Sequence, residues 1–167
     1  MGLQGLTAME NINAAKMTER YIALAIGIAY LLLGLAGFVP ALVSLPGTNE
    51  SFIPLDESTG AYSAGFGYIF GLIPTNFLHN LVRCAVGLFG ITSYSNASTA
   101  RLFNRAFAIS YALLAVIGLL PLGKTFFGLM PLFGYNVLLN ALAAIATAYY
   151  SIVIPAKVKG VNVAENI

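Results

Sequence analysis

The chain has 167 residues, of which 59% are hydrophobic and only 8% are charged, with a formal net charge of +2. A soluble domain has about a quarter of its residues charged, so this composition excludes an ordinary soluble domain and predicts an integral membrane protein. Eight Lys and Arg against six Asp and Glu leave no basic excess, and no nucleic-acid partner is expected. The single cysteine, Cys84, belongs to no CxxC or Cys/His pattern, and no metal site is expected.

The first 75 residues of the chain divide into three segments. Residues 1–20 lack the apolar core of a secretory signal and are expected to form a flexible cytoplasmic leader. Residues 21–43 carry no charge and are long enough for a first transmembrane helix. Residues 44–75, punctuated by Gly and Pro, exceed the usual connection length and are predicted to form a long outer loop.

Three more apolar runs follow, at residues 76–94, 103–122 and 135–154. Uniformly apolar runs of this length favour helices over the alternating strands of a membrane barrel. The sequence therefore predicts an all-α, polytopic protein with a four-helix transmembrane domain over residues 21–155. Residues 156–167 are expected to form a cytoplasmic tail.

The positive charges near the predicted spans set the orientation of the protein. One side of the predicted membrane domain carries Lys16, Arg20, Arg101, Arg105, Lys157 and Lys159. The other side carries only Lys124. Both termini are therefore predicted to be cytoplasmic, in a bacterial inner membrane or a thylakoid membrane, with the lipid bilayer as an obligatory partner.

The sequence also contains an internal repeat. Arg20, Tyr30 and Pro40 recur as Arg101, Tyr111 and Pro121. The stretch FGLIP at 70–74 is echoed by FGLMP at 127–131, and Asn76-x-Leu78-x-Asn80 is echoed by Asn136-x-Leu138-x-Asn140. Two copies that each cross the membrane twice have the same orientation, so we predict two tandem helical hairpins.

Polar residues form a stripe at the start of the second span. Asn76, His79, Asn80 and Arg83 are spaced i, i+3, i+4 and i+7, which places them on one helix face. Such a face is expected to point into the bundle, since polar groups are costly in hydrocarbon. Asn136 and its neighbour Asn140 begin a weaker stripe on the fourth span. The asparagines are predicted to cap helices and to bond across them, with direct ligand contact as the alternative.

His79 and Arg83 break the repeat, because the second copy has Leu139 and Ala143 at their positions. Arg83 is interpreted as structural, through snorkelling to the interface or pairing with the acidic residues of the outer loop, or as an anion or lipid-headgroup site. His79 is interpreted as a packing residue, a proton carrier, or an axial ligand to haem or chlorophyll. A bis-histidine haem site is excluded, since the chain has a single histidine.

Two tyrosines occupy matched positions in the middle of spans. Tyr30 lies in the first span and Tyr111 in the third. Buried tyrosine hydroxyls need hydrogen-bond partners, so these residues are predicted to be structural, with the asparagines as partners.

The stretch GLIPTNFLHNLVRCAVGLFGI at residues 71–91 resembles an uncharacterised family of small four-helix membrane proteins from actinobacteria and cyanobacteria. The family pattern corresponds here to Asn76, His79, Asn80, Gly87 and Gly90. The family often has a second histidine one turn after the first, where this chain has Arg83. That departure argues against a paired-histidine site, and the resemblance implies a fold without implying an activity.

No carboxylate falls within a predicted span, and no Ser/His/Asp constellation or phosphate loop is present, so no enzyme is expected. The sequence favours a non-catalytic accessory subunit that packs against other membrane protein subunits, of a photosynthetic complex in the case of a cyanobacterium. Two alternatives stay open. One is a small transporter or channel with a polar site at the outer end of the second helix, and the other is a haem- or chlorophyll-binding module using His79.

Overall fold

The structure is a computed structural model that describes residues 3–47 and 62–155. These residues are mostly helical. The four helices are α1 (Leu3–Ala36), α2 (Phe77–Ser93), α3 (Ala97–Leu119) and α4 (Tyr135–Ala148). A π-helical turn, Tyr149–Val153, continues α4. Along the chain, α1 packs mainly against α2, and α3 mainly against α4.

Three helical segments in the described residues are long and apolar enough to cross a membrane: Gly5–Ala36, Ala97–Leu119 and Tyr135–Val153. The fourth, α2, is apolar and has 17 residues. Large apolar side chains are exposed on all four helices, as expected for helices whose outer faces contact lipid. The structure is therefore compatible with an integral membrane protein.

The first helix differs from the sequence prediction at both ends. It begins at Leu3 and ends at Ala36, whereas the predicted leader covered 1–20 and the predicted span 21–43. The segment before Tyr21 mixes polar and apolar residues, so it contains no hydrophobic run, but after Gly5 it also contains no Gly or Pro to interrupt a helix. At the other end, Gly37 and Pro40 stop the helix, and Pro40 begins a 3-10 turn.

The predicted outer loop contains a small antiparallel sheet. Its strands are β1 (Val43–Ser44), β2 (Gly67–Ile69) and β3 (Ile73–Thr75), in the order β1-β2-β3. Strands of two or three residues leave no alternating pattern in a sequence, which is why this sheet was not predicted. The turn between β2 and β3 places Phe70 and Gly71 in the left-handed region, with φ of 52° and 71°. Glu50, Asp56 and Glu57, the acidic residues of this loop, lie outside the described residues.

Glycines allow α1 and α2 to approach each other closely. A Cβ atom added to Gly87 would lie 2.5 Å from the backbone nitrogen of Leu31, and one added to Gly27 would lie 2.6 Å from that of Ile91. These distances are shorter than a carbon atom tolerates, so the two backbones contact directly. The interior between the helix pairs contains Tyr30 and Tyr111, whose ring centroids are 5.0 Å apart, and Phe107, which stacks on Tyr111 at 3.9 Å.

Candidate functional site

The start of α2 is fixed by Asn76, which is fully buried. Asn76 is the N-cap residue, and its Oδ1 accepts a hydrogen bond from the backbone nitrogen of His79 at 2.8 Å. Its Nδ2 donates to the carbonyl oxygens of Tyr62 at 3.1 Å and Leu129 at 2.7 Å. The Asn76 side chain therefore joins α2 to the segment before β2 and to the connection between α3 and α4.

One turn further along α2, Asn80 joins three elements. Its Nδ2 donates to the carbonyl oxygen of Gly37 at the end of α1, at 2.8 Å. Its Oδ1 accepts a hydrogen bond from the Thr75 hydroxyl at the end of β3. A Cβ atom added to Gly37 would occupy the space of the Asn80 amide, so any larger residue here would displace this side chain.

Arg83 lies inside the bundle with 2% of its surface exposed. Its Nη1 donates to Thr75 Oγ1 at 3.1 Å, and its Nη2 donates to Asn136 Oδ1 at 2.6 Å. The guanidinium thus bridges β3 and the start of α4. Both acceptors are neutral oxygens, which compensate a buried cation less well than a carboxylate does.

Asn136 completes this set of contacts from α4. While its Oδ1 accepts from Arg83, its Nδ2 donates to the carbonyl oxygens of Pro74 and Pro131, both at 2.8 Å. Asn140, one turn later, is also buried, but its Nδ2 has no hydrogen-bond partner among the described residues. The two asparagines of α4 therefore differ in their hydrogen bonding, although their positions in the sequence pattern predicted the same role for both. We call Thr75, Asn76, Asn80, Arg83 and Asn136 the polar cluster.

His79 is buried beside the polar cluster, with 7% of its surface exposed. Its imidazole lies close to the backbone carbonyl of Pro131, and Nδ1 has no hydrogen-bond partner among the described residues. Within residues 3–47 and 62–155, no group of three His, Cys, Asp or Glu is placed to hold a metal. His79 does not line the grooves between α1 and α2, between α2 and α3, or between α3 and α4. Pigment or haem ligation by His79 therefore stays a prediction.

Tyr30 and Tyr111 pack against each other, with their ring planes at 85°. Both lie close enough to Arg83 for electrostatic interaction. The asparagines were expected to be their hydrogen-bond partners, but the amide groups of Asn76, Asn80 and Asn136 donate to backbone carbonyls instead. The tyrosines thus contribute to the core beneath the polar cluster.

A second buried polar group, which sequence reasoning missed, lies at the opposite end of the bundle. Glu19 is fully buried, and both of its carboxylate oxygens accept from Arg101 Nε, at 2.9 and 3.0 Å. Asn104 Nδ2 donates to the Glu19 carbonyl at 2.8 Å. Glu19 was assigned to the leader, so its carboxylate was not counted within a helix of the bundle. Its position four and eight residues before Ala23 and Gly27, on one helix face, was the available signal.

Three grooves within the described residues open between these elements. The first, of about 480 Å³, lies where α1 ends and α2 begins, and its wall includes Phe38, Phe77 and Asn80. The second, of about 430 Å³, lies between α2 and α3. The third, of about 380 Å³, lies between α3 and α4 and is lined largely by alanines. All three are mainly apolar.

These features define a class of protein: a helical bundle with membrane-compatible helices, closed at one end by a buried polar cluster. The chain belongs to the family described as a domain of unknown function (DUF4383), whose model matches residues 20–153. The match covers the whole polar cluster and confirms the resemblance to an uncharacterised family. Comparison with curated proteins and with solved structures finds no match.

Proposed function

We propose that this protein is a non-catalytic integral membrane protein that acts as an accessory subunit of a larger membrane complex. The observation that supports the proposal is the set of hydrogen bonds made by the amides of the polar cluster. The side-chain amides donate hydrogen bonds to backbone carbonyls of other elements in Asn76, Asn80 and Asn136. Such bonds hold a bundle together, and they leave the apolar outer surface as the surface for interaction with other proteins.

The proposal includes four membrane-spanning helices with both termini in the cytoplasm. At ~1.5 Å per residue, the 17 residues of α2 extend about 26 Å, close to the thickness of the bilayer core. Arg20, Arg101 and Arg105 all bond to groups at the Glu19 end of the bundle, namely Tyr94 O, Glu19 and Ser151 O. A basic end of this kind supports a cytoplasmic orientation for it.

The proposal also includes two tandem hairpins derived from one repeat. Phe127 and Gly128 have φ of 58° and 78°, which matches the left-handed turn of Phe70 and Gly71 in the first copy. The contacts are also reciprocal. Asn76 of the first copy donates to a carbonyl of the second copy, and Asn136 of the second donates to the carbonyl of Pro74 in the first.

A photo-crosslinking experiment tests the accessory role. A photoreactive residue is introduced at Ala112, in the groove between α3 and α4, where small side chains allow close approach of another helix. The matched control is Leu81, which is exposed on the outer face of α2. After illumination of native membranes, we expect a discrete adduct with a second membrane protein from Ala112 and none from Leu81. Lipid adducts alone at both positions would argue against the proposal.

A further inference from the structure

The groove between α2 and α3 is an elongated space of about 430 Å³. The α3 residues along it run from Thr99 to Tyr111, a length of about 18 Å at ~1.5 Å per residue. The groove is open because α2 packs mainly against α1 and α3 mainly against α4. A mainly apolar space of this size between helices, with a few polar groups in its wall, is typical of a binding site for a small molecule.

Aromatic rings form much of the wall of this groove. They belong to Phe89 on α2 and to Phe103, Phe107 and Tyr111 on α3. The rings of Phe107 and Tyr111 are stacked, with centroids 3.9 Å apart and ring planes 12° apart. Aromatic rings attract a further planar ring that lies against a face or an edge. The wall therefore suits a ligand with a flat, conjugated ring.

Two hydroxyl-bearing residues, Ser110 and Tyr111, line the groove near the middle of α3. Neither hydroxyl has a hydrogen-bond partner among residues 3–47 and 62–155. By contrast, the hydroxyls of Thr92 and Ser93 donate to backbone carbonyls of their own helix, α2. A donor left unbonded in hydrocarbon is costly. The two free donors therefore favour an occupant that carries a hydrogen-bond acceptor.

The second copy of the proposed repeat differs from the first along this groove. The lining residues Phe103, Phe107 and Ser110 stand where the first copy has Ile22, Ile26 and Ala29. Aliphatic side chains are as apolar as lipid tails, so contact with lipid alone calls for neither the two phenylalanines nor the serine. These differences favour a more specific occupant at the α3 face of the groove.

We propose that the groove between α2 and α3 binds an isoprenoid quinone, whose ring carbonyls accept hydrogen bonds from Ser110 and Tyr111. A quinone ring is flat and conjugated, it carries acceptors without donors, and it is attached to an apolar chain. The ester carbonyls of a phospholipid lie at the edge of the hydrocarbon core, about 15 Å from its centre, and so away from these hydroxyls. The site goes beyond the accessory role, but it rests on the proposed membrane span of α3.

The experiment measures thermal unfolding of the full-length protein in phosphatidylcholine nanodiscs. One sample receives decylubiquinone, a quinone with a saturated chain. The matched sample receives phenyldecane, which has a ring and a chain of the same length but no carbonyl. We expect the unfolding midpoint to rise with increasing decylubiquinone and to stay unchanged with phenyldecane.

Three results would contradict the proposal. Equal shifts with both compounds would show that any apolar molecule fills the groove, and no shift with either would show that no quinone binds. Each of these results would overturn the quinone site alone. A chain that does not enter the nanodiscs would overturn the membrane span of α3 and the site together.

Variants locate the bound quinone. Ser110→Ala changes an exposed residue to the one found in the first copy, so it should fold, and it is expected to weaken the apparent affinity about fivefold, the effect of one neutral hydrogen bond. Tyr111→Phe should have a similar effect. Tyr30→Phe and Ser98→Ala are the matched controls, because neither residue lines the groove, and both should bind as the wild type does. Wild-type affinity in both Ser110→Ala and Tyr111→Phe, or an equal loss in the two controls, would refute the assignment.

Discussion

Asn136 is the residue whose loss should loosen the polar cluster most. Replacing it with leucine keeps the size of the side chain but removes one hydrogen bond from Arg83 Nη2 and two to the carbonyls of Pro74 and Pro131. Neutral hydrogen bonds between membrane helices contribute roughly 0.6 kcal/mol each, and one to a charged group about 1.5–3 kcal/mol. We therefore expect Asn136→Leu to lower the free energy of unfolding by about 3 kcal/mol.

The assay is reversible unfolding by sodium dodecyl sulfate in neutral lipid bicelles, followed by circular dichroism. Asn140→Leu is the control, because it changes the same residue type one turn away, on the same face, where Nδ2 makes no bond to the described residues. It should lower the free energy of unfolding by less than about 1 kcal/mol. Equal effects of the two substitutions, or a loss below about 0.5 kcal/mol for Asn136→Leu, would refute the structural role of the cluster.

Three further predictions concern the contact between α1 and α2, the Glu19 end of the bundle and the topology. Gly87→Val should lower the free energy of unfolding by about 2 kcal/mol, because the new side chain meets the backbone of α1. The control Ala85→Val, on the exposed face of α2, should change this free energy by less than about 0.5 kcal/mol. Similar values for both substitutions would contradict the close contact. Glu19→Gln should lower the free energy of unfolding by about 1–2 kcal/mol through loss of the ion pair with Arg101. Glu10→Gln, at an exposed position, should have no measurable effect in the same unfolding assay. An unchanged free energy of unfolding in Glu19→Gln would show that the ion pair is not stabilising. Ser95→Cys, between α2 and α3 in a variant without the native cysteine, should react with a membrane-impermeant maleimide only after cells are opened, and labelling of intact cells would contradict the proposed orientation.

The bounds of α2 were accessible from the sequence. The predicted span, 76–94, differs by one residue at each end from Phe77–Ser93. A helix with these bounds could be expected because a cap residue after a proline marks its start and a uniform apolar run continues from it; that this helix spans the membrane stays a prediction. The start of α1 could not be predicted in the same way, because the part of the helix before Tyr21 has no hydrophobic run and a search for membrane spans does not detect it.

The inward direction of the stripe could also be predicted, because helical periodicity places its residues on one face and the cost of polar groups in hydrocarbon turns that face inward. The hydrogen-bond partners of those residues could not be predicted from the sequence. Asn80 bonds Gly37, and Asn76 bonds Leu129, through contacts across 43 and 53 positions of the chain. Such contacts depend on how the helices and the connection before α4 are arranged in space. The small sheet was missed for the same reason, since β1 pairs with β2 across the long loop.

The difference between the two asparagines of α4 is likewise a tertiary effect. Asn136 and Asn140 occupy equivalent faces of one helix, yet only Asn136 lies within reach of Arg83 and the prolines. In the proposed repeat, Gly118 corresponds to Gly37, and a Cβ atom added to Gly118 would meet the carbonyl oxygen of Leu132. The Asn140 amide nitrogen has no hydrogen-bond partner among the described residues.

The measurement that tests the central claim most directly is the size and composition of the assembly that the protein forms in its own membrane. The tagged protein is solubilised gently, separated by native gel electrophoresis, and analysed by mass spectrometry with its absorbance recorded. An accessory subunit predicts a discrete assembly well above the 17.6 kDa of the chain, with defined membrane protein partners. A colourless monomer without partners would contradict the account.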